Sequence, residues 1–475
     1  MDSLPQLFPQ DVWSIFAGIC QIPHPSGAEK KLSLHLKALA EKHGCLARFD
    51  EYGNLRIDRR NSGFDEAIIL QAHMDMVPAC ADGKIFDFTR DAVVPVIDGK
   101  NVRADGTTLG GDDGMGIALA LSMLFDMELQ NIPLAALFTR QEEVGMLGAA
   151  ALPEEFLRGK LLVNLDSGCD NVFQIGCAGG VRTHLAFAPG WENAGEGEHF
   201  AVTLGNLTGG HSGVDIHLRR ANALILLAKI LTGNLLKLAE FSGGNADNAI
   251  PAQAFCRGVS EMPLAQLEPL LQRRAALLRK ELSPCDQNFI LQVGAAAPVE
   301  KVFAGNFSEA FLKKLAAAPD GALAFSKRYQ SVYTSSNIGM AIPQRKGLEL
   351  VSSQRSFSDA RRDQTARRIV RHFGKLAVKA EHLQPYPGWK PEINAFQRIA
   401  AATWRELFGN EARFEVIHAG LECGIIRGKA PELPVIATFP LHGNLHTPSE
   451  YLDIASVGNI RQFLAAFLLR AGVEK

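Results

Sequence analysis

The chain has no CxxC pair, no internal repeat, no low-complexity stretch and no excess of charge of either sign. Eight cysteines scattered through 475 residues argue against both a disulfide framework and a cysteine zinc site, and the reducing cytoplasm is the expected location. The balance of 49 basic against 51 acidic residues leaves a formal charge of −2, which gives no electrostatic footprint for nucleic acid or an anionic membrane. Basic pairs such as Arg219-Arg220 and Arg361-Arg362 read as solvated helix faces. No run approaches the roughly 18 uninterrupted apolar residues that a membrane span needs. The richest, at 115–125 and 224–231, are short and read as core helices. The opening Met1-Asp2-Ser3-Leu4-Pro5 offers neither a basic n-region nor an apolar h-region, so no secretory signal is expected.

What is present fits a soluble globular protein, with 47% hydrophobic and 21% charged residues, and the length calls for two or more domains. Helical apolar spacing covers 12–22 and 29–42, separated by the breakers Pro23-His24-Pro25-Ser26-Gly27. A hairpin at 48–60 turns at Tyr52-Gly53-Asn54, and another at 93–102 turns around Asp98-Gly99. Residues 67–72 form a short apolar strand ending at His73. A long apolar helix at 115–129 is followed by buried strands at 134–139 and 161–165. This order indicates an open, mixed α/β sheet. From about Gly179 the texture changes to strands at 181–187, 199–204 and 348–357 with helices at 221–231, 263–281 and 363–380, an α+β pattern. From about Tyr386 the first pattern returns, with helices at 391–407 and 453–469 and a strand at 434–439.

Acids and histidines stand where apolar runs give way to turns, which is where an α/β sheet presents side chains to a crevice. They are His73 and Asp75, Asp112 in Gly110-Gly111-Asp112-Asp113-Gly114, the pair Glu142-Glu143, Asp166 before Ser167-Gly168, and His446 before Thr447-Pro448. Read singly, each has an ordinary alternative. His73 and Asp75 lie two apart on an extended segment and share a face, so the carboxylate can fix the tautomer of the imidazole. Asp112 or Asp113 can simply cap the helix that follows. Glu142 and Glu143 can be surface acids, and Asp166 a turn residue. His442 and His446 are equivalent by residue type alone. Taken together, two imidazoles and three carboxylates can hold a pair of divalent cations for metal-assisted hydrolysis. Were the centre to use His446 with the others, 1–178 and 386–475 would form one catalytic domain and 179–385 an insertion.

The order and spacing of His73, Asp112, Glu143, Asp166 and His446 resemble the M20 group of metallopeptidases over essentially the whole chain. Further stretches look like its aminoacyl-histidine (Xaa-His) dipeptidase branch. They include Gly176-Cys177-Ala178-Gly179-Gly180, Gly209-Gly210-His211-Ser212-Gly213, Ser335-Ser336-Asn337-Ile338-Gly339, Tyr386-Pro387-Gly388-Trp389 and His418-Ala419-Gly420-Leu421-Glu422-Cys423-Gly424. The resemblance implies a mixed-sheet dizinc catalytic domain with an inserted α+β lid and dimerisation domain, a small peptide substrate and a homodimer. It implies two Zn²⁺ ions, with Mn²⁺ or Co²⁺ also suited, on His73, Asp112, Glu143, Asp166 and His446, Asp112 bridging. Asp75, Glu142 and His211 are the implied catalytic groups, with Glu142 as the base and His211 beside the scissile carbonyl. Arg355 is implied as a clamp for the substrate carboxylate, with Asn337 and Glu422 holding the peptide ends. A tripeptidase, an N-acyl amino acid deacylase or a carboxypeptidase on the same scaffold is the alternative, and a non-catalytic binding protein the third reading.

Overall fold

Strands Ile68–His73, Leu134–Thr139 and Leu161–Asn164 are buried along their whole length. Continuous apolar runs of this kind belong in the middle of a parallel sheet covered on both faces. The computed structural model of the chain, which describes residues 4–60 and 65–474, shows that sheet. Residues 1–3, 61–64 and 475, and with them the opening Met1-Asp2-Ser3, lie outside the described part. The strand order is Leu46–Phe49, Leu55–Asp58, Leu134–Thr139, Ile68–His73, Leu161–Asn164, Val435–Ala437, Val172–Cys177 and Arg413–Ile417, with Gly168–Cys169 paired beside Val172–Cys177. Leu134–Thr139, Ile68–His73, Leu161–Asn164 and Val435–Ala437 run parallel, His73 in register with Thr139 and Gln71 with Asn164. Their carboxyl ends therefore finish at one edge. Helices Gln10–Cys20, Gly111–Phe125, Ala395–Phe408 and Ile454–Val473 share a core with this sheet.

The chain forms two units. The first combines the segment ending at Cys177 with Trp389–Val416 and the chain from Leu421 onward; the second is Ala178–Gly388 together with Ile417–Gly420. The second unit is built on an antiparallel sheet in the order Ile290–Ala295, Glu198–Gly205, Ala254–Ser260, Lys237–Gly243, Ser331–Gln344, Gly347–Ser356, Gly179–Phe187 and Lys379–Tyr386. Helices Ala223–Leu231, Leu264–Arg279, Phe307–Ala316 and Asp359–Phe373 pack with it in one core. Among the described residues no helix is long and apolar enough to cross a membrane.

One expected helix is corrected. The segment 363–380 is α-helical only to Phe373, where Gly374 at φ 57° ends the helix that began at Asp359 and a single 3₁₀ turn, Gly374–Leu376, follows. Lys379–Tyr386 is an edge strand, exposed along nearly its whole length. Exposure on both faces erases the alternation by which a strand is read from sequence. The helix expected at 391–407 starts at Ala395, because Asn394 and Gln397 form a capping box there.

Candidate metal centre and its supporting loops

His73 closes its strand, Glu142 and Glu143 follow Leu134–Thr139, and Asp166 follows Leu161–Asn164. Asp112 enters from the start of Gly111–Phe125, and His446 from the loop after His442–Gly443. That helix can begin so close to the sheet because residue 116 is glycine: a Cβ there would stand 2.3 Å from the Leu165 carbonyl oxygen.

These side chains, all in the first unit, come together. Asp112 lies between the imidazoles, with Oδ1 2.9 Å from His73 Nε2 and Oδ2 3.3 Å from His446 Nε2. Asp166 Oδ1 stands 3.7 Å from the same His73 nitrogen, and Glu143 Oε1 2.9 Å from His446 Nε2. Each histidine nitrogen thus meets two carboxylates, one of them common to both. Asp112, Glu143 and His446 offer donor atoms within 4.8 Å of one another, as do His73, Glu142 and Glu143, and also His73, Asp113 and Asp166. His442 is turned elsewhere, with Nδ1 2.8 Å from the Pro440 carbonyl oxygen.

Asp112 and Asp113, joined by a cis peptide, divide the two roles that the sequence left open between them. Asp113 serves the main chain: its carboxylate accepts from Gly116 N–H at 3.2 Å, inside the first turns of the helix, and from His73 N–H at 3.1 Å. Asp112 is left facing the histidines. The expected Asp75–His73 tautomer bond takes a different form. His73 Nδ1 donates to the Asp75 main-chain oxygen at 2.9 Å, while the carboxylate stands 3.6 Å away. That carboxylate instead accepts from Glu142 N–H at 2.9 Å, Glu143 N–H at 3.2 Å and Ser26 Oγ–H at 2.7 Å. Asp75 therefore fixes the turn carrying the acid pair.

Several supporting residues went unread in the sequence. Glu29 accepts from Arg140 Nη2 at 2.7 Å and from Gln141 N–H at 3.2 Å, holding the same turn from the other side. Glu450 accepts from main-chain N–H groups of the Asp112 loop. Each of these contacts joins segments far apart in sequence, and no spacing rule announces such a pairing.

Electrostatics set this cluster apart. Burial, and after it the Glu143 charge, pushes the Glu142 carboxyl well above the carboxylate range. Burial and the Asp112 charge raise Glu143 as well. Burial acts downward on His446, but the carboxylates of Asp112 and Glu143 outweigh it and hold the imidazole at about 11. Burial acts upward on Asp75, yet His73, Ser26 and the Glu142 N–H bring it down to about 2. Among the described residues no Lys or Arg pairs with Asp112, Glu142, Glu143 or Asp166, so four carboxylates share two imidazoles and carry an excess of negative charge. Buried anions without counter-charge are costly. Two divalent cations would supply that charge, and imidazole with carboxylate oxygen is donor chemistry that suits Zn²⁺, Mn²⁺ or Co²⁺. The residues fit such a pair.

Glu422 is not exposed at all. Its Oε2 accepts from Gln71 Nε2 at 2.6 Å and Thr139 Oγ1–H at 2.7 Å, and Gln71 in turn accepts from Asn164 Nδ2 at 2.7 Å. This network ties three neighbouring strand ends together, and burial lifts the Glu422 carboxyl to about 7. Its other oxygen, Oε1, is buried with no hydrogen-bond partner, so one oxygen is committed to the strand ends and the other is not.

In the second unit, His211, Asn337 and Arg355 share a neighbourhood. His211 Nδ1 accepts from Gly213 N–H at 3.3 Å and Val214 N–H at 3.0 Å, which puts the ring proton of a neutral imidazole on Nε2. Asn337 Nδ2 donates at 2.8 Å to the carbonyl of Ala249, the residue in register with His211. Arg355, 7% exposed, lies in register with Ser335 and Gly180; its Nη1 donates to Tyr386 Oη at 2.6 Å and its Nε has no partner. His418, against Ser335 Oγ at 2.8 Å, is held down to about 3 by burial and the Arg355 charge, so it stays neutral.

Residues 69–470 match the model of peptidase family M20/M25/M40. The chain is 35% identical to a cytosol non-specific dipeptidase of Escherichia coli strain K12, over 98% of this chain and 99% of that one. It is similar to the crystal structure of an aminoacylhistidine dipeptidase from Vibrio alginolyticus, with 32% identity, a TM-score of 0.82, and 99% and 98% of the two chains covered. A Staphylococcus aureus tripeptidase, 17% identical with a TM-score of 0.57, covering 98% of this chain and 100% of that one, shares the fold. With His73 and His446 both inside the matched span, and the Escherichia coli relative aligned over nearly the whole chain, the chain belongs to peptidase family M20/M25/M40.

Proposed function

We propose that the chain is a dinuclear metal-dependent dipeptidase that cleaves Xaa-His dipeptides, β-alanyl-histidine among them, and other unblocked dipeptides. The supporting observation is Asp112, which turns one oxygen toward each histidine. His73 and Asp166 are assigned to one cation, Glu143 and His446 to the other, and Asp112 to both; Zn²⁺ is the proposed resident ion. Such a pair would supply a Lewis acid that acidifies the attacking water and polarises the scissile carbonyl. Glu142 takes the water's proton on its carboxylate and passes it to the departing amino group. Asp75 aims that carboxylate through the Glu142 N–H. His211 donates from Nε2–H to the developing oxyanion. Arg355, steadied by the Tyr386 hydroxyl, offers a planar guanidinium to the substrate carboxylate, and Asn337 Oδ1 accepts from a peptide N–H.

The Escherichia coli relative is a non-specific dipeptidase and the Vibrio alginolyticus one an aminoacylhistidine dipeptidase, so both support a dipeptide substrate and they differ on the demand for histidine. A homodimer in the cytoplasm completes the proposal, the dimer on the family resemblance and the location on the Escherichia coli relative. The test is turnover of metal-loaded protein on β-alanyl-histidine, unrelated dipeptides, tripeptides and N-acetyl amino acids, with a chelator control. Chelator-sensitive cleavage of dipeptides is expected. Preference for tripeptides or N-acetyl amino acids would replace the reading with the corresponding hydrolase, and two bound metals without any hydrolysis would leave a binding protein.

A further inference from the structure

The amides of residues 109–112 precede and open the helix Gly111–Phe125, whose N-cap, Gly110, has no side chain to satisfy them. Orphan N–H groups at a buried helix start must find acceptors elsewhere. Here one side chain supplies all of them. Glu450 Oε2 accepts from Leu109 N–H at 2.8 Å and Gly110 N–H at 3.2 Å; Oε1 accepts from Gly111 N–H at 2.8 Å and Asp112 N–H at 3.2 Å. Glu450 is 3% exposed. Four donors occupy about the full acceptor capacity of a carboxylate, so this acid is spent on amides and is not a cation ligand.

The other end of Glu450 matters equally. Its own N–H donates to the Thr447 carbonyl at 3.1 Å, and Thr447 Oγ1–H donates to the Asn444 carbonyl at 2.7 Å, closing the turn that carries His446 at φ 62°. Arg103 Nη1 holds the same turn by donating to the Ser449 carbonyl at 2.7 Å. Two residues on, Leu452 packs where a Cβ on Gly111 would be, 2.9 Å away, which presses the two segments together.

We infer that Glu450 is a positioning residue: it clamps the loop of Asp112 to the turn of His446 and thereby sets the spacing of the two cation positions. This rests on the dinuclear reading above. Glutamate is specified chemically. Aspartate is one methylene too short to reach from this turn, and glutamine has one acceptor oxygen and would set its NH₂ against two N–H donors.

The test uses the full chain and the variants Glu450→Gln and Glu450→Ala. Metal stoichiometry after gel filtration, cation affinity by chelator competition, kcat and KM on a dipeptide, and melting of the metal-free protein are measured together. Wild type is expected to keep two ions per chain. Glu450→Gln, which preserves volume should the alanine variant not fold, is expected to bind cations about 10–100-fold more weakly, the usual cost of removing a group that orients a ligand. Its kcat falls with KM little changed, and excess free metal restores much of the activity. Rescue by metal is a readout that a purely structural role would not give. Two ions held by Glu450→Gln at wild-type affinity, or an activity loss that metal does not relieve, would overturn the inference while leaving the dinuclear reading standing. Fewer than two ions on the wild type would overturn the dinuclear reading itself, and the inference with it.

Discussion

Glu29 and Glu143 both serve the turn at 140–143, and their surroundings could hardly differ more. Glu29 is fully enclosed, meets Arg140 Nη2 at 2.7 Å and Nε at 3.1 Å, and uses its other oxygen on Gly27 and Gln141 N–H groups. Glu143 faces Asp112 and, at 2.9 Å, His446 Nε2, and among the described residues no Lys or Arg stands beside it. A carboxylate neutralised within the protein is architecture. A carboxylate whose main chain is fixed while its head group lacks counter-charge is available for a cation. The same division separates Asp113 from Asp112 on adjacent residues, and Glu450 from His446 across one turn.

The comparison breaks most visibly at Glu142. If it carries a proton and binds no metal, Glu142→Ala lowers kcat by about 10²–10⁴-fold while mass spectrometry finds the metal content unchanged. Loss of metal would make it a ligand. Next in size is His211→Ala: if the imidazole donates to the oxyanion as proposed, its loss costs about 3–4 kcal/mol in the transition state and should appear in kcat more than in KM. On the architectural side, Arg140→Ala leaves the Glu29 charge enclosed and unpaired. A stability loss of about 3 kcal/mol in urea is expected, at the low end for broken buried pairs because the guanidinium is partly exposed. An equal loss from Glu143→Gln in metal-free protein would erase the distinction between the two acids.

The smallest effect tests an enclosed carboxyl of the second unit. Asp320 accepts from Ile338 N–H at 2.7 Å and Asn222 Nδ2 at 3.2 Å, and burial lifts its carboxyl to about 7. An unfolded aspartate titrates near about 4, so between the two values the folded chain binds more protons than the unfolded one. The Asp320 contribution is therefore full below that window and is lost as pH rises through 7. Asp320→Asn should flatten this part of the wild-type pH–stability curve and raise the melting temperature above pH 7. A parallel shift at every pH would contradict the sign.

The parallel strands and the strand-end residues His73, Asp166 and the 142–143 pair were legible because continuous apolar runs followed by acids and turn residues encode both burial and exit. The choice of Asp112 over Asp113, and of His446 over His442, needed the family resemblance, since composition treats the members of each pair alike. Asp75 was legible as a partner of the centre but not in its task, because its targets are main-chain N–H groups of a loop 67 residues away. Glu450 and Glu29 were illegible for the same reason. Glu422 was legible only through the family resemblance, because its partners Gln71 and Thr139 lie on strands far away in the sequence. The edge strand Lys379–Tyr386 was lost to the helical pattern before it because neither of its faces is buried.

The central claim concerns two cations sharing one carboxylate. Anomalous diffraction from crystals of zinc-loaded protein, recorded at the zinc edge, tests it most directly. Two peaks about 3.5–4 Å apart, with the Asp112 carboxylate spanning them, are predicted. A single peak, or two with Asp112 on only one of them, would contradict it.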